Sequence, residues 1–316
     1  MKEFHVSGNN EGQRLDKFLF RLLPNAGGSF LYKMLRQKNI VLNDKKASGS
    51  EKLRSGDNVK IYFSDETFDK FALPKEESKY PPLDKKLVVY EDDNILIMNK
   101  PAGMLSQKSE TGDISACEYL IGYLTENGKL NSEQLRIYRP SAVNRLDRNT
   151  TGLLICALNL KAAQELSELL KNRGLVKKYR CLVKGRIEKA SHLKGTLVKD
   201  KAANKVKVLE KGENAIETAY EPIGYSEDIG GTLLSVHLIT GKTHQIRAHL
   251  ASIGHPIAGD PKYGDPKWNK ILKEKYGVKH QLLHAYSITF PEHKGLLAYL
   301  SGKTITVEGD WKNVNI

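Results

Sequence analysis

The sequence predicts an α+β protein with a central mixed, mainly antiparallel sheet, preceded by a small α/β module. Strand-like segments outnumber helical segments along the 316 residues, and few strand–helix–strand units recur. Apolar residues make up 40% of the chain, which is enough for a hydrophobic core and too many for a disordered protein. A chain of this length is expected to form about two domains.

The bulk features exclude several classes of protein. No run of about 18 apolar residues occurs, so we expect no transmembrane helix. The N-terminal residues show neither an apolar run nor a cleavage pattern, so we expect a cytoplasmic protein. Cys117, Cys156 and Cys181 are scattered and form no CxxC pair, which argues against a disulfide framework and a zinc–thiolate site.

The charge balance favours an anionic partner. The chain has 50 Lys and Arg against 37 Asp and Glu, a formal net charge of +13. Residues 1–63 alone hold 12 basic against 6 acidic residues, a concentration expected of a surface that binds nucleic acid. A lysine-rich surface that serves only solubility would explain the same numbers.

Residues 1–63 are predicted to form the first domain. Apolar residues recur at helical spacing over residues 15–23, and a second helix is predicted over 29–40. Strands are predicted after residue 40 and over 59–63. Such a module could be an ordinary capping subdomain. Residues 64–83, rich in proline and mixed charges, are predicted to be a linker.

Residues 84–316 are predicted to form the second domain. Its strands are expected within residues 87–100, 153–159, 176–187, 214–225, 231–240, 282–290 and 303–309. One helix follows Asn159 as its N-cap and ends before Gly174. Another covers residues 243–254, with Ile246, Leu250 and Ile253 on its apolar face.

The sequence lacks the motifs of most cofactor-dependent enzymes. His244 and His249 are five residues apart and cannot form the i, i+4 zinc pair of a metalloprotease helix. No GxSxG elbow, GxxxxGK[ST] phosphate loop or dinucleotide fingerprint occurs. Asp260 and Asp265 could be taken for metal ligands, but their Gly/Pro-rich surroundings favour a structured loop. We therefore expect no metal and no cofactor.

Residues 140–152, PSAVNRLDRNTTG, form the segment best suited to catalysis. Asp147 lies between Arg145 and Arg148, and Gly152 leads into the apolar run LLICAL. A carboxylate at the entry to a core strand is rigidly held yet reachable by a substrate, and nearby cations keep it ionised. From these local residues alone, a structural salt bridge that anchors the loop is the simpler explanation.

Five blocks of the sequence resemble the RluA-type pseudouridine synthases, in that family's order. The segment NRLDRNTTG at 144–152 is similar to the signature HRLDxxTSG. The other blocks are EDDNILIMNKPAGM (91–104), KKYRCLVKG (177–185), LITGKTHQIRAHLASIGHPIAGDPKYG (238–264) and LLHAYSITF (282–290). The resemblance implies the pseudouridine synthase fold for the second domain.

The resemblance implies an enzyme that isomerises uridine in RNA to pseudouridine. The uracil is detached from N1, turned and rejoined through C5, and the base must first leave its stack. Asp147 is then the essential carboxylate, and Arg145 holds the flipped nucleotide or fills the vacated place. The sequence leaves open whether Asp147 adds to the base at C6 or acts at the ribose.

The resemblance also assigns roles in the other blocks. Arg247 pairs with the catalytic aspartate, and Tyr179 stacks on the uracil and could assist removal of the C5 proton. Leu282 and Leu283 are candidates for an apolar wall beside the uracil, although packing in a core strand explains them equally well.

Two positions depart from the family pattern. Asn144 stands where the signature has His, so a histidine there cannot be a required acid–base group; we expect Asn144 to supply hydrogen bonding beside the substrate or loop geometry. Lys242 stands where the family has Arg, and it keeps the cation but loses the forked guanidinium.

Residues 12–63 resemble the S-four-type RNA-binding domain, named after a small-subunit ribosomal protein. The resemblance rests on RLDK at 14–17, on IVLN at 40–43 with the basic residues before it, and on Gly56-Asp57 before a strand. The candidate RNA-binding residues are Arg14, Lys17, Lys33, Arg36, Lys38 and Lys242.

The sequence thus predicts a cofactor-free RNA pseudouridine synthase whose partner is structured RNA. The S-four-type module favours large-subunit ribosomal RNA over transfer RNA. Nothing in the sequence shows an oligomeric interface, and a monomer is assumed. Two other classes fit parts of the sequence: a non-catalytic RNA-binding or ribosome-assembly factor, and a metal-dependent RNA hydrolase. The joint presence of Asp147, Tyr179 and Arg247 argues against the first of these.

Overall fold

The computed structural model of the chain describes residues 1–6, 11–72, 80–110, 112–200, 205–209, 212, 215–309 and 311. The chain begins with an N-terminal unit whose described strands form an antiparallel sheet in the order β1-β4-β2-β3. Its elements are β1 (Lys2–His5), α1 (Leu15–Leu22), α2 (Gly28–Arg36), β2 (Ile40–Leu42), β3 (Lys45–Lys46), β4 (Asn58–Ile61) and α3 (Asp65–Phe71).

The N-terminal unit has a hydrophobic core of its own. Helix α1 buries the apolar face that its spacing predicts, including Phe18 and Leu19. The core also takes in α3, which begins at the N-cap Ser64 and packs Phe68 against the sheet. The hydrophobic core of this unit therefore includes Ala72, which lies in the predicted linker 64–83. Residues 73–79 of the predicted linker lie outside the described part of the chain.

The remainder of the chain forms a large sheet with helices on both faces. Its strands are β5 (Val88–Glu91), β6 (Ile95–Lys100), β7 (Ser141–Ala142), β8 (Thr151–Ala157), β9 (Val176–Lys184), β10 (Ser191–Asp200), β11 (Lys205–Leu209), β12 (Ala215–Ser226), β13 (Gly231–Leu238), β14 (Leu283–Thr289) and β15 (Thr304–Thr306). Its helices are α4 (Ala116–Glu126), α5 (Ser132–Ile137), α6 (Leu160–Lys171), α7 (Gln245–Ser252) and α8 (Pro266–Tyr276), with 3-10 turns at Lys85–Leu87 and Ala298–Leu300.

The eleven described strands follow the order β11-β10-β12-β13-β9-β14-β8-β6-β5, with β15 beside β14 and β7 beside β8. Strands β14 and β8 run parallel, and the other pairs among the described strands of this sheet are antiparallel. The predicted α+β class with a mixed, mainly antiparallel sheet is therefore confirmed.

The central strands are buried on both faces. In β6, Leu96 and Met98 point into a core shared with α4 and α7, whereas Ile95 and Ile97 point into a core shared with α6. Burial on both faces explains why this strand is a continuous apolar run rather than an alternating one. Ile253, predicted on the apolar face of α7, is 36% exposed and is the C-cap residue just after the helix. No helix of the described residues is long and apolar enough to cross a bilayer.

Candidate active site

Asp147 lies in the loop between β7 and β8, and hydrogen bonds hold both of its chain neighbours, Leu146 and Arg148, in place. The Ser106 hydroxyl donates to the carbonyl of Leu146 (2.9 Å) and accepts from its N–H (3.0 Å). The Leu146 side chain is buried in the main core. On the other side, Gly103 N–H donates to the carbonyl of Arg148 (3.0 Å), and Arg148 Nε donates to the carbonyl of Gly103 (3.1 Å). Asp147 is thus presented on a fixed backbone.

Lys100, at the end of β6, is a buried lysine under the same loop. Its Nζ donates to the carbonyls of Pro101 (3.0 Å), Met104 (2.9 Å) and Arg148 (2.9 Å). Burial lowers the pKa of Lys100 to about 7, and the charge of Asp147 opposes this shift. The side chain therefore joins the turn after β6 to the loop that carries Asp147.

Arg247, in α7, connects Asp147 to a second carboxylate. Its Nη1 lies 2.7 Å from Asp147 Oδ2, while Nε and Nη2 contact Asp260 at 2.6 and 2.9 Å. Burial alone would lower the pKa of Arg247, but the hydrogen bonds and charges of Asp260 and Asp147 raise it above its ordinary value. This guanidinium stays charged, and its fork orients the Asp147 carboxylate.

Tyr179, in β9, lies close to Asp147 and is 5% exposed. Burial, helped by the charge of Asp147, raises the pKa of the Tyr179 phenol above its ordinary value. Its hydroxyl makes no hydrogen bond to a described residue. The phenol is therefore protonated at neutral pH, with its donor available to a ligand.

A pocket that is open to solvent lies at these groups. Asp147, Thr150 and Arg247 lie in its wall. Asp147 keeps 24% of its side chain exposed, which makes it reachable. The surrounding lining mixes cationic, aromatic and apolar side chains: Arg145, Tyr179, Leu238, Lys242, His244 and Leu283.

A sequence model described as RNA pseudouridylate synthase matches residues 94–252, half of the chain, and this match includes Asp147, Tyr179 and Arg247. The chain belongs to the RNA pseudouridylate synthase family. It is an RNA pseudouridine synthase of the RluA type, as the five sequence blocks predicted.

Relatives of this synthase match it over most of their length. The ribosomal large subunit pseudouridine synthase C of Buchnera aphidicola is 35% identical, covering 90% of this chain and 88% of the relative. The protein of that name in Escherichia coli is 32% identical, covering 90% and 87%. The solved structure of human RNA pseudouridylate synthase domain containing 4 has the same fold, with a TM-score of 0.54, 22% identity and coverage of 71% and 88%.

The synthase structure brings most of the predicted site residues together, but not all. Arg145, exposed and without an ion pair among the described residues, lines the pocket with Lys242 and Leu283. Leu282 packs in a separate cluster with Trp268. Asn144 is not in the pocket wall: its Oδ1 accepts from Ile155 N–H (2.7 Å) and its Nδ2 donates to the carbonyl of Leu153 (3.4 Å). Asn144 therefore ties the loop to β8.

The predicted RNA-binding residues of the N-terminal unit are exposed. Arg14 is paired with Asp16 at 2.6 Å, and Tyr32 donates to the same carboxylate at 2.9 Å. The remaining four have no ion pair with a described residue: Lys17, Lys33, Arg36 and Lys38.

Sequence reasoning missed Lys100, His244 and Asp260 as parts of the site. All three lie within the five blocks that resemble the RluA-type family, and that resemblance could have identified them as candidates. Asp260 accepts hydrogen bonds from Arg247, whereas Asp265 caps α8 and forms an ion pair with Lys184. Within the described residues, no three His, Cys, Asp or Glu side chains gather as a metal-binding group.

Proposed function

We propose that this synthase isomerises uridine in large-subunit ribosomal RNA, with Asp147 as the essential carboxylate acting on a flipped-out nucleotide and without a cofactor. The observation that carries the proposal is the placement of Asp147, which is fixed by its neighbours, paired with Arg247 and reachable from the pocket. The names of the relatives from Buchnera aphidicola and Escherichia coli support ribosomal RNA as the substrate.

The reaction balances within the nucleotide itself. The bond between C1′ and N1 breaks, a bond between C1′ and C5 forms, the C5 proton leaves and N1 gains a proton. No electrons enter or leave, so no redox partner is required. An oriented carboxylate serves either route, addition at C6 of the base or attack at C1′ of the ribose.

The other lining residues fit a flipped uridine. Arg145, exposed and without a described partner, is placed to hold the displaced nucleotide or its phosphate. The Tyr179 ring and Leu283 offer apolar surface to the uracil. Because burial raises the pKa of Tyr179, we assign it stacking and hydrogen bonding rather than service as a phenolate base.

The test replaces Asp147 with Asn, which removes the charge at nearly constant shape. We expect pseudouridine formation to fall roughly 10⁴-fold or more, the scale seen when an essential nucleophile is lost, while RNA affinity and melting temperature change little. Asp93→Asn, an exposed aspartate in the β5–β6 turn, is the matched control. The readout is a pseudouridine map of ribosomal and transfer RNA from cells carrying each variant or lacking the gene. Activity of the Asp147→Asn variant would refute the role of Asp147. If cells lacking the gene lost pseudouridines only from transfer RNA, ribosomal RNA would be refuted as the substrate.

A further inference from the structure

His244 lies in the pocket wall beside Asp147, at the N-cap of α7. Its backbone is left-handed, with φ of 56°, a conformation that costs a non-glycine residue roughly 1–2 kcal/mol. Strained backbone of this kind is concentrated at functional sites, where the surroundings maintain it. The side chain is 12% exposed, so its orientation is set by the protein.

A chain of hydrogen bonds determines which ring nitrogen carries the proton. The backbone N–H of Val206, in β11, donates to the Tyr263 hydroxyl oxygen at 2.8 Å. That hydroxyl lies 3.0 Å from His244 Nδ1. Among the described residues the hydroxyl proton has no other acceptor, so we assign it to the bond with Nδ1. A neutral imidazole that accepts at Nδ1 carries its own proton at Nε2.

The surroundings of the ring keep it neutral. Burial lowers the pKa of His244 and Arg247 adds to this effect, while the charge of Asp147 opposes it. Lys262 and Asp260 act more weakly and in opposite directions. Near pH 7 the ring is therefore an uncharged donor.

His244 Nε2 lies near the Asp147 carboxylate but is not hydrogen bonded to it. Nε2 lies 4.0 Å from Asp147 Oδ2, beyond hydrogen-bonding distance, and that oxygen already accepts from Arg247. No described residue accepts from Nε2. A fixed donor within 4.0 Å of the reacting carboxylate is thus available to whatever occupies the pocket.

We propose that His244 donates its Nε2–H to a carbonyl oxygen of the target uracil, and that Tyr263 holds the required tautomer. This inference rests on the proposed function. When the C1′–N1 bond breaks, the bonding pair stays with the base, and the negative charge spreads from N1 onto its carbonyl oxygens. A prepositioned donor stabilises that charge without transferring a proton. His244 is then a substrate-contacting residue and Tyr263 a positioning residue.

The kinetic test uses two amides that differ in reach. Asn tolerates the left-handed backbone but is too short to reach the uracil, whereas the longer Gln side chain can place an N–H near the position of Nε2. We expect kcat to fall roughly 100-fold in His244→Asn, the scale for losing one such donor, with KM nearly unchanged and less than 10-fold loss in His244→Gln. Melting temperature and RNA affinity show that each variant is folded. Equal activity of the two variants, or His244→Asn within threefold of the wild type, would overturn the proposal.

The tautomer is measured independently of turnover. In the full-length enzyme labelled with ¹⁵N-histidine, we expect the His244 resonances of an imidazole protonated at Nε2 near pH 7. Tyr263→Phe removes the hydroxyl, and a mixture of tautomers with a kcat lowered about 10-fold should follow. A ring protonated at Nδ1, or an unchanged tautomer in Tyr263→Phe, would contradict the positioning role. If instead Asp147→Asn were active, the proposed function would fail while the tautomer measurement still stood.

Discussion

At the scale of single residues, Arg247 binds two carboxylates, and this bridge decides how Asp147 is held. The local sequence favoured a structural salt bridge for Asp147, with Arg145 or Arg148 as the nearby cations. The ion pair exists, but its partner is 100 residues away in the chain. Arg148 instead donates to a backbone carbonyl. The ion pair with Arg247 is therefore compatible with the proposed catalytic role of this carboxylate.

Replacing Arg247 with Lys tests the bridge. Lysine keeps the charge but cannot reproduce the fork that spans Asp147 and Asp260. Breaking a buried ion pair costs about 3–5 kcal/mol, so we expect a lower free energy of unfolding and roughly a 100-fold loss of kcat/KM. Urea denaturation and pseudouridine formation are the measurements. The control is Arg186→Lys, an exposed arginine paired with Glu188; equal effects of the two substitutions would show that the bridge has no special role.

At the scale of elements, Gly152 controls how closely β8 approaches β14. Its φ is 107°, and a Cβ at this position would lie 2.3 Å from the carbonyl oxygen of Ala285 and 2.7 Å from its nitrogen. Both contacts are backbone atoms of a paired strand, which cannot move aside as a side chain can. The glycine is therefore what lets the loop carrying Asp147 enter the sheet at this place.

Gly152→Ala is expected to destabilise the protein by more than the backbone penalty of about 1–2 kcal/mol, because β8 and β14 must separate. Pseudouridine formation should fall with it, since Asp147 lies in the loop that leads into β8 and Leu283 begins β14. Gly128→Ala provides the comparison, because that glycine also has positive φ (68°) but nothing within 4 Å of the added Cβ. Urea titration measures the free energy of unfolding of both variants. A similar decrease in the two would rule out the steric argument.

Sequence patterns predicted the elements whose apolar periodicity is strong. The helices α1, α6 and α7 and the strands of the matched blocks fall where expected, whereas α2 ends at Arg36, four residues before its predicted end. The patterns missed α4 and α8 although both carry start signals: Ser115 and Glu118 form a capping box, and Asp265 caps a helix with Pro266 in its first turn. The antiparallel pair β10–β11 was also missed, although Lys205–Leu209 alternates lysine and valine at the spacing of a strand.

The site was predictable only as far as the matched blocks reach. Asp147, Tyr179 and Arg247 converge as those blocks imply. The support of the Asp147 loop by Lys100 and Ser106 could not be predicted from the sequence. These two side chains bond backbone groups of the loop, and no side-chain pattern encodes such contacts. Leu282 and Leu283 show the same limit: adjacent strand residues face opposite ways, and which one meets the pocket depends on register.

At the scale of the whole molecule, the N-terminal unit adds an exposed basic surface, made of Lys17, Lys33, Arg36 and Lys38. The pocket of the second domain is also lined by basic side chains, Arg145 and Lys242. We infer that the N-terminal surface contacts RNA phosphates, as the S-four-type resemblance implies. Neutralising Lys17, Lys33, Arg36 and Lys38 to Gln should reduce the salt slope of RNA binding by up to about 3, taking ~0.7 per phosphate contact. Binding titrations between low and high salt measure the slope.

A charge-matched control separates RNA contact from net charge. Helix α8 carries four exposed lysines whose neutralisation lowers the total charge equally: Lys267, Lys270, Lys273 and Lys275. We expect this variant to keep the wild-type slope. Equal changes in both variants would mean that only the overall charge matters.

The parallel pairing of β8 with β14 has a consequence for biosynthesis. Thr151 and His284, whose side chains are hydrogen bonded across this pair, are 133 residues apart. At the usual translation rate of about 5–20 residues per second, roughly 7–27 s pass before the second strand follows the first out of the ribosome. Until β14 follows, β8 lacks its partner at Thr151 and Gly152, while β7 and Asn144 already cover the rest of that edge. The edge of β9 that pairs with β14 is open as well, a state prone to aggregation. The nascent enzyme is therefore expected to need protection late in its synthesis, when most of its sheet is already present.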